Sequence, residues 1–89
     1  MIKTSTVPNN LRHHRERVGL RQTDIAELLG LQCSDRLSRW EHGIAMPSVV
    51  NLFKLAALYQ VAPHELYGEL FKNIEGRATT LPTKTGEAV

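Results

Sequence analysis

The stretch that decides the fold runs from residue 22 to residue 47 and reads QTDIAELLGLQCSDRLSRWEHGIAMP. Its first part places Ile25, Leu28 and Leu29 three and four residues apart, which predicts a short helix with one apolar face. Gly30 follows, and glycine ends helices readily because it adopts the left-handed backbone conformation at little cost. This part therefore predicts one helix and a sharp turn after it.

The second part of the stretch predicts another helix whose two faces differ. Leu37 and Trp40 lie three residues apart, so both turn toward the core, and Ser34 can cap the helix start. The positions left over are Cys33, Ser34, Asp35, Arg36 and Arg39. An exposed helix with polar side chains near its start suits the DNA major groove, which is wide enough to admit a helix. The stretch is thus predicted to be a helix-turn-helix.

Length and composition limit the chain to one small domain. It has 89 residues, and its apolar fraction of 42% suffices for a single core. The one cysteine, Cys33, rules out a multi-cysteine metal site and fits a reducing compartment, where a small, partly buried side chain needs no chemical role. No apolar run reaches membrane-spanning length, and the first residues lack the apolar core of a signal peptide. We therefore expect a cytoplasmic protein.

Positive charge is concentrated near the beginning of the chain. The formal net charge is +2, but residues 1–21 carry +4 and the remaining residues −2. The basic residues of this segment are Lys3, Arg12, Arg15, Arg17 and Arg21. Such a segment can contact phosphate, an acidic membrane surface or an acidic protein, or simply face solvent. Since it lacks an aromatic-bearing amphipathic face, nucleic acid is the favoured partner.

Signals on both sides of the helix-turn-helix predict three more helices. Pro8, Asn9 and Asn10 signal the start of a first helix over about residues 11–18, since asparagine is a favoured cap; Ser48 suits the cap of a fourth helix with helically spaced apolar positions. Those positions are Val49, Leu52, Leu55, Ala56 and Tyr59. Pro63 fits the first turn of a short fifth helix. Because no long segment alternates with period two, the expected fold class is all-α, a compact five-helix domain.

Both ends of the chain lack a helical pattern. We expect a flexible N-terminal arm over residues 1–8, the folded domain with a short C-terminal helix over 9–75, and a disordered tail over 76–89, which is rich in Thr, Gly and Pro. An apolar stripe precedes the tail and consists of Leu66, Tyr67, Leu70, Phe71 and Ile74. This stripe can pair two copies of the chain or cap the core of one.

Over about residues 9–67 the sequence resembles the Cro and phage-repressor type of helix-turn-helix domain. The resemblance rests on Leu11, Arg15, GLRQ at 19–22, IAELLG at 25–30, SRWEHG at 38–43, MPS at 46–48 and the apolar run 52–58. These elements occur in the family's order. The resemblance implies a lambda-repressor-like fold and a sequence-specific transcriptional regulator, specifically a repressor, that reads the major groove with its third helix. The short reach of one such domain favours a homodimer on double-stranded DNA with two half-sites.

The resemblance also implies which residues read the bases. Matching backward from Trp40 gives Cys33, Ser34, Asp35, Arg36 and Arg39. Arg39 suits guanine, because a guanidinium can donate two hydrogen bonds to O6 and N7. Asp35 is repelled by phosphate, so it accepts from a cytosine amino group or orients one of the two arginines.

The register of this match has one alternative. The segment between Gly30 and Leu37 is one residue longer than the family pattern, and matching forward from Gly30 brings Gln32 into the reading set. The requirement that Leu37 and Trp40 face the core fixes the rotation of the helix, and it favours the backward match.

Phosphate contacts are implied at the starts of the second and fourth helices. Gln22, followed by Thr23, resembles the family glutamine that binds backbone phosphate and braces the reading helix, and a helix N-terminus suits an anion. Ser48, Asn51 and Lys54 are weaker candidates, since a face of this kind can equally be solvated.

Two further positions follow from the resemblance. Arg15 and Glu41 resemble a family pair that forms a salt bridge beneath the reading surface, a structural role in which losing one partner costs more than the pair contributes. His14 stands where the family usually has an apolar residue, so we expect a locally polar core that protonation weakens.

No residue constellation predicts catalysis, a metal site or a cofactor. His13 and His14 are adjacent, so on a helix they point about 100° apart and cannot chelate one metal. His42 and His64 have no suitably spaced partner. We therefore expect neither an enzyme nor a small-molecule substrate. The alternative to a DNA reader is a protein-interaction module, such as an antitoxin-like or adaptor protein, that uses the same fold through another surface.

Overall fold

Six helices follow one another in the computed structural model, which describes residues 6–80 and the side chains of residues 6–77. They are α1 (Leu11–Arg17), α2 (Gln22–Leu29), α3 (Asp35–Glu41), α4 (Val49–Tyr59), α5 (Pro63–Leu66) and α6 (Gly68–Thr80). The described residues contain no strand, so the all-α class is confirmed. The first five helices correspond to the five predicted from the sequence, and α6 is additional.

The helix-turn-helix consists of α2, the turn from Gly30 to Ser34, and α3. Gly30 has a φ of 77°, the left-handed conformation that the sequence predicts there. The turn satisfies the last carbonyls of α2, because the amide of Gly30 donates to Glu27 (3.1 Å) and that of Leu31 to Ala26 (2.8 Å). The chain is thereby redirected, and α3 packs against both α1 and α2.

One core lies beneath this unit and is closed from the other side by α4 and α5. Its buried members are Leu11, Ile25, Leu29, Leu37, Trp40, Leu55, Ala56, Tyr59, Leu66 and Tyr67. Leu37 and Trp40 face inward as predicted, and they bring the inner side of α3 into this core. Burial of side chains this large is the main source of stability in such a small domain.

Two residues of the helically spaced apolar patterns lie outside this core. Leu28 is 58% exposed, because the buried face of α2 is centred on Ile25, Ala26 and Leu29, and Leu28 lies about 100° around the helix from that centre. Val49 is 67% exposed, since it stands in the first turn of α4, ahead of the residues that pack inward.

The helix caps agree with the sequence prediction at Ser48 and at Asn9, but not at Ser34 or Asn10. Ser48 caps α4, and its hydroxyl accepts a hydrogen bond from the amide of Asn51 at 3.1 Å. Ser34 and Asn10 make no side-chain capping bond. The reason is conformational: both have ψ values near zero, whereas a capping side chain requires an extended backbone. Asn9 replaces Asn10 at α1 and accepts from the amide of Leu11.

The described part of the chain also differs from the prediction at its two ends. Helix α6 continues through Gly76 to Thr80, where the sequence predicts disorder, since one internal glycine costs a helix only about 1 kcal/mol. Thr6 to Pro8, assigned to the flexible arm, contact the domain, because the amide of Val7 donates to the Gly43 carbonyl. The rest of the predicted arm and tail, residues 1–5 and 81–89, lies outside the described residues.

Candidate nucleic-acid interface

Helix α3 carries its charged side chains on the side away from Leu37 and Trp40. Asp35, Arg36 and Arg39 are exposed. Within residues 6–77, none of these three side chains takes part in a hydrogen bond or an ion pair. The outer side of α3 therefore offers donors and an acceptor to another molecule without first breaking contacts within the protein.

The turn before α3 contributes further candidates. Cys33 is exposed, so the expectation of a partly buried cysteine is wrong; it lies in the turn rather than under the helix. Ser34 is half-buried beside it. Gln32 and Cys33 border a small recess together with Arg36. The rotation of α3 agrees with the backward match, and which of these side chains reads a base stays a prediction.

A hydrogen-bonded cluster fixes the inner side of α3. The guanidinium of Arg15 donates twice to the carboxylate of Glu41, from Nε to Oε2 at 2.6 Å and from Nη2 to Oε1 at 3.1 Å. Both side chains are nearly buried, with exposed fractions of 11% and 3%. The predicted salt bridge is thus present, and its two parallel bonds give it a defined geometry.

Two more contacts complete this cluster. Gln22, the first residue of α2, donates from Nε2 to Glu41 Oε1 at 2.9 Å, and Arg15 Nη1 donates to the carbonyl of Leu20 at 3.0 Å. The hydrogen bond with Glu41 raises the pKa of Arg15 above its ordinary value. The predicted contact of Gln22 with α3 is therefore present in the structure, and each of the three guanidinium nitrogens of Arg15 donates one hydrogen bond.

An open groove of about 570 Å³ lies where α1, α2 and α3 meet. Its lining is mostly polar and basic: Arg12, Arg15, Arg21, Gln22, Thr23, Ser34, Ser38, Glu41 and His42. Three predicted contact residues meet here, namely Gln22, Thr23 and Ser34. The first turn of α2 also faces this groove, and its amides are suited to an anion.

Besides the structural pair Arg15 and Glu41, four groove residues were not assigned to DNA from the sequence: Arg12, Arg21, Ser38 and His42. The net positive charge of residues 1–21 was the signal for the two arginines, but it did not distinguish them from the other basic residues of that segment. Arg12 pairs with Glu16 at 3.0 Å, and Arg21 with Asp24 at 3.4 Å, both on the surface. The Asp24 carboxylate also accepts a hydrogen bond from the backbone amide of Arg21. This bond is the main reason that the pKa of Asp24 is lowered.

A second group of predicted residues meets between α3 and the start of α4. Arg36, Arg39, Ser48 and Asn51 border one shallow groove, together with Trp40, Ala45 and Met46. Asp35 and Lys54 are exposed but line neither groove. Most of the candidate residues from α2, α3 and α4 therefore lie in the two grooves on either side of α3.

The described part of the chain contains neither a metal-binding cluster nor a membrane-spanning helix. Residues 6–77 contain no group of three or more His, Cys, Asp or Glu side chains arranged to hold a metal ion. None of the helices described here has the length and apolar character that crossing a bilayer requires.

Comparison with known proteins identifies the family. Residues 11–66 match the family model described as helix-turn-helix. No curated protein and no solved structure matches the chain. The match covers more than half of the sequence, and it spans α1 to α5 with the buried Arg15–Glu41 pair. The chain therefore belongs to the helix-turn-helix family of the Cro and phage-repressor type, and it is a DNA-binding regulator.

Proposed function

We propose that the chain is a sequence-specific transcriptional repressor that reads the DNA major groove with α3 and acts as a homodimer. The observation that carries the proposal is the contrast between the two sides of α3. Its inner side is fixed by Leu37, Trp40 and the Glu41 cluster, while its outer side is exposed and charged. A rigidly held helix with unpartnered polar side chains is suited to base readout, because directional hydrogen bonds require fixed positions.

Base readout is assigned to the turn and outer side of α3. The residues are Cys33, Ser34, Asp35, Arg36 and Arg39. Arg39 has the leading role, since it is exposed and its guanidinium can donate two parallel bonds to one guanine. Asp35 accepts from a cytosine amino group or orients a neighbouring arginine.

Phosphate binding is assigned to the two grooves that flank α3. Gln22 and Thr23 stand at the start of α2, where free amides and the basic groove both favour an anion. Ser48 and Asn51 at the start of α4, with the exposed Lys54 one turn further along the helix, contact phosphates of the other DNA strand. Contacts of this kind set the position of the domain on the duplex, and the outer side of α3 then supplies discrimination.

Dimerisation is assigned to the surface of α6. Leu66 and Tyr67 are buried and cap the core, so only the later part of the predicted stripe is available. Phe71 and Ile74 are 43% and 57% exposed and border an apolar recess with Leu70. A second copy that covers these side chains would place two α3 helices on half-sites about one helical turn apart. We assign the protein to the cytoplasm, without a cofactor or small-molecule substrate.

The decisive experiment is in vitro selection of bound sequences from random DNA, followed by salt titration of the selected site. We expect a two-part, inverted-repeat sequence and a linear fall of log affinity with log salt concentration. Arg39→Ala should relax the preference at one base pair of each half-site. Lys72→Ala, which also removes one positive charge but from α6, is the matched control and should retain it.

Other outcomes would count against the proposal. Binding without sequence preference would contradict the proposal that α3 recognises specific bases. Absence of DNA binding, together with a salt-insensitive protein complex, would favour the adaptor or antitoxin-like alternative. For the dimer, Ile74→Lys should yield a monomer by sedimentation equilibrium while the helical circular dichroism is retained; an unchanged dimer would exclude this surface.

A further inference from the structure

The chain that precedes α1 crosses the C-terminal end of α3. The amide of Val7 donates to the carbonyl of Gly43 at 2.9 Å, and Gly43 is buried despite lying at a helix end. The approach is so close that a β-carbon on Gly43 would stand 2.5 Å from the Val7 carbonyl oxygen. Gly43 also has a φ of 75°, which favours glycine. The segment from Thr6 to Asn10, called the strap below, is therefore in direct backbone contact with the end of α3.

Asn9 is the residue of the strap that reaches α3 with its side chain. Its amide nitrogen lies 3.2 Å from the carbonyl oxygens of both Trp40 and Glu41, and 3.1 Å from that of Val7. Its side-chain oxygen accepts from the amide of Leu11 at 3.1 Å. With the amide oriented this way, every contact pairs a donor with an acceptor.

These contacts join the ends of two helices through one side chain. The last carbonyls of a helix and the first amides of a helix lack intrahelical partners, and Asn9 supplies some of both. Helix α3 has only seven residues, so few internal hydrogen bonds hold its last turn. Arg39 stands immediately before Trp40 in that turn. A change at Asn9 therefore acts on the part of α3 that carries the assigned guanine contact.

We propose that Asn9 is a positioning residue for DNA reading: it holds the last turn of α3 so that Arg39 meets the base edge at the correct distance. The inference rests on the proposed function of α3. It differs from a general stabilising role, because it predicts a loss of discrimination between sequences in a protein that is still folded. It also differs from a phosphate contact, since Asn9 donates to carbonyls of the protein itself.

The neighbouring residue provides a matched control. Asn10 has the same side chain, but it donates to the carbonyl of Glu65 in α5 at 3.2 Å, and within residues 6–77 it makes no side-chain hydrogen bond to α3. Asn9→Asp keeps the side-chain size and the acceptor for Leu11, but it removes the donor to Trp40 and Glu41. Asn10→Asp removes one donor of the same kind from the strap and leaves those contacts in place.

The test measures the affinity of the full chain and both variants for the selected site and for random-sequence DNA, at a temperature at which thermal melts show all three to be folded. We expect Asn9→Asp to lose about tenfold in affinity for the selected site, the size expected from one impaired base contact. Its affinity for random DNA and its salt dependence should equal those of Asn10→Asp, because both variants carry the same added negative charge and retain the phosphate contacts. Asn10→Asp should discriminate between the two DNAs as well as the wild type does.

Each remaining outcome is decisive. Equal behaviour of the two variants, or a loss at Asn9→Asp that is the same on both DNAs, would overturn the positioning role. If the wild-type chain itself did not discriminate, the proposed function would fail rather than this inference. Should Asn9→Asp not fold, Asn9→Ser retains a short donor and an acceptor; hydrogen exchange in α3 must then be faster than in Asn10→Asp, together with a smaller loss of discrimination.

Discussion

The inner and outer sides of α3 differ in burial and in hydrogen bonding. On the inner side, Leu37 and Trp40 are buried, and Glu41 accepts three hydrogen bonds from Arg15 and Gln22. On the outer side, Arg36 and Arg39 are exposed, and their side chains have no hydrogen bond or ion pair within residues 6–77. Substitutions on the inner side should therefore change stability, and those on the outer side should change what the protein binds.

The two sides of α3 also differ in how they hold charged side chains: the charges on the inner side are buried and paired, and those on the outer side are exposed. A buried ion pair adds little net stability compared with an apolar pair, but its geometry is demanding, and an unpaired charge left behind is costly. An exposed arginine costs almost nothing in the free protein, so its full hydrogen-bonding capacity remains for a ligand. The same residue type, arginine, thus forms a buried ion pair at position 15 and is proposed to recognise a base at position 39.

The largest effect is expected at Glu41. Glu41→Ala leaves the Arg15 charge and the Gln22 amide without their partner, and we expect a loss of about 3–5 kcal/mol in the free energy of unfolding. Glu16→Ala is the control: it removes a carboxylate from the exposed Arg12–Glu16 pair, which typically contributes about 0.5 kcal/mol or less. Urea denaturation of both variants gives the comparison.

A double variant tests whether the unpaired charge is the cause. Arg15→Met combined with Glu41→Leu should be more stable than Glu41→Ala alone, since no buried charge remains. If the double variant were the less stable of the two, the pair would contribute net stability rather than orientation, and the proposed difference between the two sides of α3 would need another explanation.

The next effect is expected at the two glycines that flank α3. Gly30 and Gly43 have nearly equal φ values of 77° and 75°, so alanine at either should cost about 1–2 kcal/mol for the left-handed backbone. At Gly30 no atom lies within 4 Å of the added carbon, whereas at Gly43 it would meet the backbone of Val7. Gly43→Ala should therefore lose a further amount of about 1–3 kcal/mol.

Thermal melts of the two glycine variants at one protein concentration give this comparison. Equal melting temperatures for Gly30→Ala and Gly43→Ala would mean that the strap moves away at little cost, and this would also weaken the positioning role of Asn9.

The glycine pair illustrates what the sequence could and could not predict. Gly30 was identifiable because it ends an apolar pattern and local geometry alone requires it. The contact of Gly43 with Val7 joins residues 36 positions apart and leaves no periodic signal. The same holds for the bonds from Asn9 to Trp40 and Glu41, which only the folded chain brings together.

Helical spacing was most informative where one face is fully buried. It predicted the inward positions Leu37 and Trp40, and with them the rotation of α3. It placed Leu28 and Val49 correctly in helices but did not indicate that both are exposed, because spacing alone does not tell the centre of an apolar face from its edge. The Arg15–Glu41 pair came from the family resemblance, since no local pattern links positions so far apart in the chain.

On the outer side of α3, a large effect on binding should occur with almost no effect on stability. Arg39→Ala removes an exposed side chain, so the free energy of unfolding should stay within about 0.5 kcal/mol of the wild type. Discrimination against a substituted guanine should fall by about 1–3 kcal/mol. Paired measurements of urea denaturation and of affinity for matched and mismatched sites test both statements. A destabilised Arg39→Ala with unchanged discrimination would reverse the roles assigned to the two sides.

The smallest effect concerns His14, which lies half-buried next to Arg15 on the inward face of α1. Its Nδ1 is buried and has no hydrogen-bond partner among the described residues. Burial, followed by the charges of Arg17 and His13, lowers the pKa of His14 below 6.5, against a weaker opposing effect of Glu65. The charge of Arg15 beside it is instead compensated by the carboxylate of Glu41. On this inward face of α1, the charged form is therefore favoured at Arg15, which has a carboxylate partner, and disfavoured at His14.

This contrast predicts a pH dependence with a definite sign. Below pH 6.5 the unfolded chain binds a proton at His14 before the folded chain does, so stability should be lost as the pH falls from about 6.5 toward the lowered pKa. His14→Leu has no such proton to bind, so its free energy of unfolding should vary less with pH between about 7.5 and 5. Urea titrations across this range give both curves, and parallel curves would mean that the unpaired Nδ1 of His14 is not what couples the fold to protons.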